Sequence, residues 1–303
     1  MDTRKRWMTL ARPDGRRWAV SAAEPVGDLP HWLARLRAQA CGGAVAVGVD
    51  LPLGLPRAYA ATHCEATDFP AFLRGLADKS AFFDVCADVA ELRPNRPFYP
   101  ARGVRGMTRA SHAAALGLGG PEALSRACDR ATATRPAGAP LFWTLGANQT
   151  GKAAISAWRG WLLPALSGPR PPRLWPFDGG LHALLAPGEM VVAETYPAEA
   201  MRQRGLRMAG SKRRQSDRAA LAPALLRALG EAGAVPDDLM SAAITDGFGA
   251  DASGEDRFDS LLGLLGLLAV LDGRQPDFVP DDPWIRRWEG WVLGQTELPS
   301  RRI

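Results

Sequence analysis

The chain has little of the side-chain chemistry that most redox and transition-metal sites are built from. It carries four cysteines and four histidines in 303 residues. Cys41, Cys64, Cys86 and Cys128 lie more than twenty residues apart and form no CxxC or CxxH pair, which argues against a zinc knuckle or a disulfide framework. His31, His63, His112 and His182 are equally scattered, so histidine ligation has no supporting pattern. Any metal is therefore expected to be held by oxygen. A long apolar run is also lacking. The longest, LLGLLGLLAVL from Leu261 to Leu271, falls well short of the roughly 20 residues that a bilayer-spanning helix requires. The basic opening, MDTRKRWMTLARPDGRRW, is not followed by the apolar core of a secretory leader. No membrane association is expected, and the expected compartment is the cytoplasm.

What is present is ordinary for a globular chain: 47% hydrophobic and 23% charged residues. The net charge of +5 is carried mostly by arginine, whose planar fork suits phosphate. That balance permits nucleic acid as a partner. A compositional bias favouring arginine and alanine accounts for it equally well.

The segments Arg6 to Ala11 and Arg17 to Ala22 are predicted strands of a hairpin, joined at Pro13-Asp14-Gly15. Asp28 is a predicted cap for a helix from Leu29 to Gln39, closed by Gly42-Gly43. The run AVAVGVD that follows suits a strand buried on both faces, with Asp50 at its C-terminal end. From residue 51 to 188 the chain is rich in proline, with short amphipathic pieces such as Phe69 to Leu76 and Glu122 to Cys128, and is expected to be a mainly helical insertion. Met190 to Ala193 returns to strand character and ends at Glu194. SKRRQSDR supplies a basic stretch and a Ser216 or Asp217 cap for a helix through Leu229. Ser253 is placed to cap a final helix from Gly254 to Asp272, with Gly273 beyond it. The predicted organisation is an α/β core of residues 1–50 and 189–273, the insertion 51–188, and a tail 274–303 packing across the core.

Strands of an open α/β sheet deliver ligand-binding residues at their carboxyl ends, and two predicted strands here end in acids, Asp50 and Glu194. On the last helix Asp256, Asp259, Gly263 and Gly266 fall on one stripe at steps of three and four. Glycines allow that stripe to approach the sheet closely, which turns the two aspartates inward. Converging carboxylates repel one another unless protonated or bridged by a cation, and Mg²⁺ or Mn²⁺ is the expected bridge. Singly, each acid has a plainer explanation. Asp50 can start a turn, Glu194 can be solvated, and Glu255, Asp256 and Asp259 can complement the helix dipole at about 0.3–1 kcal/mol each, which suits Glu255 best.

Taken in order, GVDLPLGLPRAYA, the Arg126-Ala-Cys-Asp129 stretch, GANQTGKAAISAW, LWPF, ETYPAEA, SKRRQSDR and GEDRFDSLLGLL resemble the domain-of-unknown-function family 429. That family is identified as a member of the ribonuclease H-like nuclease superfamily. The resemblance implies a ribonuclease H-like mixed sheet flanked by helices. It implies that Asp50, Glu194 and Asp259 are catalytic; together with Asp256 from the helix stripe, they are the expected metal ligands. Phosphodiester hydrolysis with carboxylate-held Mg²⁺ or Mn²⁺ is the implied activity. Lys212, Arg213 and Arg214 would then neutralise phosphate, although a solvated basic face is an equal reading. The family's usual first strand, which carries an aspartate, is missing here. Its place lies between the second and fourth strands, so its absence would leave two unpaired edges in mid-sheet and an incomplete metal site.

Two other readings stay open. GANQTGKA, from Gly146 to Ala153, nearly spells the phosphate-binding loop GxxxxGK[ST], which would make Lys152 a nucleotide contact. Ala153 stands where the Mg²⁺-holding hydroxyl belongs, and Lys152 is otherwise a helix-start residue near the acids. The other is a non-catalytic binding protein on a ribonuclease H-like scaffold.

Overall fold

The computed structural model describes residues 6–103, 105–146 and 150–300. It is a mixed α/β protein with several small sheets. The strands are β1 (Trp7–Met8), β2 (Ala11–Asp14), β3 (Arg17–Val20), β4 (Glu24–Pro25), β5 (Val45–Val49), β6 (Arg173–Leu174), β7 (Met190–Glu194) and β8 (Ala234–Pro236). The helices of the first half are α1 (Trp32–Gln39), α2 (Arg57–His63), α3 (Phe69–Arg74), α4 (Arg109–Ala115) and α5 (Thr150–Ala157). They are followed by α6 (Leu163–Leu166), α7 (Leu181–Leu184), α8 (Pro197–Gln203), α9 (Gln215–Ala220), α10 (Ala222–Glu231), α11 (Asp238–Asp246) and α12 (Gly254–Leu271).

The predicted hairpin is present but bent. β2 pairs antiparallel with β3, Ala11 opposite Val20, and the pairing continues as β1 against β4 with the register shifted by one residue. One extra residue on the returning strand is the signature of a bulge, which bends and twists a ribbon. β8 joins β3 in parallel, so the first sheet has the order β2-β3-β8. The second is fully parallel, in the order β5-β7-β6, with Val45 opposite Met190 and Val49 opposite Glu194. β6 comes from the stretch expected to be an insertion. That stretch also shares its core with the sheet, because Leu53, Phe69, Phe142 and Trp158 cluster with Val47, Val49 and Val192. Glu122 to Cys128 forms two 3-10 turns rather than one helix.

No backbone ladder joins the two sheets among the described residues; α12 does. One side of α12 packs with Val20, α10 and α11, and another with Val191, Ala193 and Trp291. Its glycine stripe makes the close approaches. A methyl group on Gly263 would lie 3.3 Å from Thr195 Oγ1, and one on Gly266 would lie 3.2 Å from the Ala200 side chain. The stripe thus lies against the end of β7 and helix α8. The tail reaches the end of β7, with Leu293 N–H donating to the Glu194 carbonyl at 2.8 Å.

Three caps differ from expectation. Helix α1 begins at Trp32, and Asp28 pairs with His31 Nδ1 instead of capping it. Helix α9 starts at Gln215, with Asp217 accepting from Ser211 N–H and from Arg214. Ser253 occupies the N-cap position of α12 without a side-chain cap, and Asp251 accepts its N–H at 2.7 Å.

Candidate functional site

A cavity of about 1390 Å³ opens between the two sheets, and Asp50, Glu194, Asp256 and Asp259 all line it. The parallel register of β5 and β7 puts Asp50 and Glu194 at the same end of adjacent strands, and the N-terminus of α12 brings Asp259 to them. Lys212 and Lys152 line the same cavity, whereas Arg213 and Arg214 do not. Those two arginines are exposed, and each faces its own acid, Glu255 and Asp217.

Asp50 is reached by water inside the cavity, yet protein surrounds it on the wider scale. That enclosure, followed by the charge of Asp259, pushes its carboxyl up to about 7, with Lys212 opposing. Asp259 is also raised by burial and opposed by Lys212. Its Oδ2 lies 2.5 Å from Lys212 Nζ, while Oδ1 is buried with no hydrogen-bond partner among the described residues. Burial would lower the Lys212 ammonium, but the Asp259 charge overrides this and holds it above its ordinary value. Lys212 also reaches Glu255 at 3.4 Å. Its position is set from behind, because the fully buried Arg218 donates to the Lys212, Gly247 and Gly249 carbonyls.

Glu194 is placed differently from its expected role as a free ligand. Both carboxylate oxygens are taken by Arg126, Nη1 to Oε2 at 2.6 Å and Nη2 to Oε1 at 2.7 Å, and Oε2 also accepts Leu53 N–H at 2.7 Å. Arg126 bonds Asp129 at 2.8 and 3.0 Å as well. Burial pushes the Glu194 carboxyl up, and the Arg126 charge opposes it. Cys128 Sγ and carboxylate oxygens of Asp129 and Glu194 lie within 4.8 Å of one another, a group that could hold a metal ion. The Arg126 guanidinium already supplies a cation there. Burial also pushes the Cys128 thiol far up, and a thiol that stays protonated is a poor ligand.

Arg126 and Asp129 were visible as an Arg-x-x-Asp pair, but nothing in that spacing pointed to a third partner about seventy residues away. The phosphate-loop motif falls partly on residues 147–149, which lie outside the described residues. Of its described flanks, Thr150 to Ala157 is helical, but PLFWTL forms only a single bridge, Tyr99 to Trp143, and no strand. The strand that a phosphate loop needs before it is not found among the described residues. No helix among them is long and apolar enough to cross a membrane. No protein-family model, curated protein or solved structure matches the chain.

Proposed function

We propose that the chain is a divalent-metal-dependent phosphodiester hydrolase of ribonuclease H-like type, acting on nucleic acid at the carboxylate end of the cavity. The observation that carries this is the pair Asp50 and Asp259: the Asp259 charge adds to the raised proton affinity of Asp50, and one oxygen of Asp259 is buried without a partner among the described residues. Such a pair asks for a cation, and hard oxygen ligands favour Mg²⁺ or Mn²⁺. The donor set therefore fits the metal, with Asp50 and Asp259 holding it and Asp256 beside them. When bound, the ion would supply Lewis-acid polarisation of a phosphoryl oxygen and a more acidic water.

The chain's own residues support the rest. Asp50 would meet the cation as a carboxylate, because a divalent charge displaces the proton that its surroundings otherwise favour. Lys212 stands on Asp259 in the metal's absence and, once released, can neutralise phosphate charge alongside Lys152. Arg126 keeps Glu194, the loop after β5 and the tail in fixed relation, since it also donates to the Leu53 and Glu289 carbonyls. In this reading Glu194 is a positioning residue.

The test is cleavage of labelled DNA and RNA, single- and double-stranded, with Mn²⁺ or Mg²⁺ against a chelator control. Metal-dependent cleavage that disappears in Asp50→Asn and Asp259→Asn supports the proposal. Cleavage unchanged in both variants, or none with any substrate while both metals leave melting unaffected, rejects it.

A further inference from the structure

A phosphodiester is an anion, and here it must approach a wall that carries Asp50, Asp256 and Asp259. Like charges repel at such a wall unless cations stand ready to receive the substrate. Arg126 is taken up by Glu194 and Asp129, and Lys212 by Asp259. Arg135 lines the same cavity and differs from both, because its guanidinium has no carboxylate partner among the described residues. It bonds backbone, Nη2 donating to the carbonyls of Cys128 and Arg130.

The loop that carries Arg135 is held in place. Thr132 N–H donates to the Arg135 carbonyl at 2.9 Å, and Arg135 N–H donates to Thr132 Oγ1 at 3.1 Å, which closes a tight turn. The tail braces that turn: Glu297 accepts from the hydroxyls of Thr132 and Thr134, and Ser300 N–H donates to the Ala131 carbonyl at 2.9 Å. A side chain fixed in this way loses little further freedom when it binds a ligand.

The Arg135 guanidinium carbon lies 5.8 Å from the ring centroid of Tyr196, the residue at the N-cap of α8. Tyr196 lines the cavity as well, and its hydroxyl has no hydrogen-bond partner among the described residues. Burial, and then the charge of Asp50, raises the proton affinity of the phenol, with Arg135 and Lys212 opposing. The phenol therefore keeps its proton as a donor, within electrostatic reach of both Asp50 and Arg135. Arg135 Nη1 likewise has no partner among the described residues. Two fixed donors without acceptors, one of them on a cation, suit the oxygens of a phosphate. We propose that Arg135 and Tyr196 form the anion-binding subsite of the hydrolase, holding a nucleic-acid phosphate beside the Asp50 and Asp259 carboxylates; the reaction it serves rests on the hydrolase reading.

The chain has three tyrosines, so protein labelled with meta-fluorotyrosine gives three fluorine resonances, and Tyr196→Phe identifies the one at the subsite. The probes are penta-thymidylate and penta-uridylate in Mg²⁺, with inorganic phosphate at matched concentration as the other source of the same chemistry. At least one oligonucleotide should shift the Tyr196 resonance saturably and leave those of Tyr59 and Tyr99 in place. Arg135→Gln should weaken that binding by about tenfold or more. It should also reduce the slope of log K against log salt by about 0.7, the share of one phosphate in a single strand. Arg227→Gln, at an exposed side chain of α10 outside the cavity, should change neither. Tyr196→Phe removes only the unpartnered hydroxyl and should weaken binding of a dye-labelled strand by about two- to tenfold. Unmoved Tyr59 and Tyr99 resonances show that the Arg135 variant is folded. A Tyr196 resonance that neither oligonucleotide moves, an equal response to inorganic phosphate, or wild-type affinity in both variants overturns the proposal. Binding that meets these terms without any cleavage sinks the hydrolase reading and leaves the subsite standing. Metal-dependent cleavage with unaltered KM in Arg135→Gln and Tyr196→Phe does the reverse.

Discussion

Lys212 Nζ sits 2.5 Å from Asp259 Oδ2, and the other oxygen of that carboxylate has no partner among the described residues. The ammonium thus does half of what a divalent ion would do: it compensates charge at one oxygen and leaves the second unsatisfied. Lys212→Met should destabilise the metal-free chain by about 1–2 kcal/mol, the cost of an enclosed acceptor left without its donor, moderated because the lysine is 43% exposed. The same change removes the competitor for the site. Thermal melts with and without Mn²⁺ should show a larger Mn²⁺ shift in Lys212→Met than in wild type. A smaller shift would mean that the lysine helps build the metal site.

The pH dependence follows from Asp50. Its folded-state proton affinity is raised, chiefly by burial and then by Asp259, from 3.8 to about 7. A carboxyl that binds its proton more tightly when folded contributes stability that is complete below about 3.8 and is lost as pH rises through about 7. Melting temperature followed from pH 4 to 8 should fall more steeply in wild type than in Asp50→Asn. Because a cation competes with that proton, stabilisation by Mn²⁺ should grow over the same interval in wild type. Parallel wild-type and Asp50→Asn curves would place the titrating group elsewhere.

Arg126 is 1% exposed and holds two carboxylates, two carbonyls and the loop after β5. Lysine keeps the charge but cannot make two bidentate pairs. Arg126→Lys should therefore cost about 3–5 kcal/mol, the range for breaking a buried pair, read as a drop in the urea midpoint. Arg213→Lys, a change at an exposed side chain, is the control and should leave the midpoint unmoved. A loss below about 0.5 kcal/mol at Arg126, no more than an ordinary surface substitution, would show that neither carboxylate depends on the guanidinium fork.

Much of this was legible in local pattern. AVAVGVD and the strand ending at Glu194 were found by apolar runs bounded by glycine and acid, and the Asp256, Asp259, Gly263, Gly266 stripe followed from helical spacing. What stayed hidden was non-local. Nothing at Glu194 announced that Arg126 would cover both its oxygens, and SKRRQSDR as a basic run concealed that Lys212 turns inward while Arg213 and Arg214 do not. Proline-rich pieces with no strong period still supplied Leu53, Phe69 and Trp158 to the packing beneath β5. The bend in the hairpin had no residue-type signature, because a bulge depends on the register of both strands.

Two groups of this fold could hold a metal ion, the Asp50 and Asp259 pair and the Cys128, Asp129 and Glu194 cluster, and Glu194 distinguishes them. It belongs to the Cys128, Asp129 and Glu194 group, but it stands apart from the Asp50 and Asp259 pair in being fully occupied by Arg126. Glu194→Gln retains the shape, and its amide oxygen can still accept one of the bonds, so the variant should fold with lowered stability. If Asp50 and Asp259 hold the ion, Mn²⁺ should still raise the melting temperature of Glu194→Gln, and Asp259→Asn should abolish that rise. If the shift vanishes in a folded Glu194→Gln, the ion is held at the Arg126 cluster instead. That alternative carries its own signature, since a thiolate ligand prefers softer ions than Mg²⁺: stabilisation would be stronger with Zn²⁺ and lost in Cys128→Ser. With the Cys128 thiol pushed far up by burial, and a guanidinium already between the two acids, the expected outcome is a Mn²⁺ response indifferent to both Glu194→Gln and Cys128→Ser.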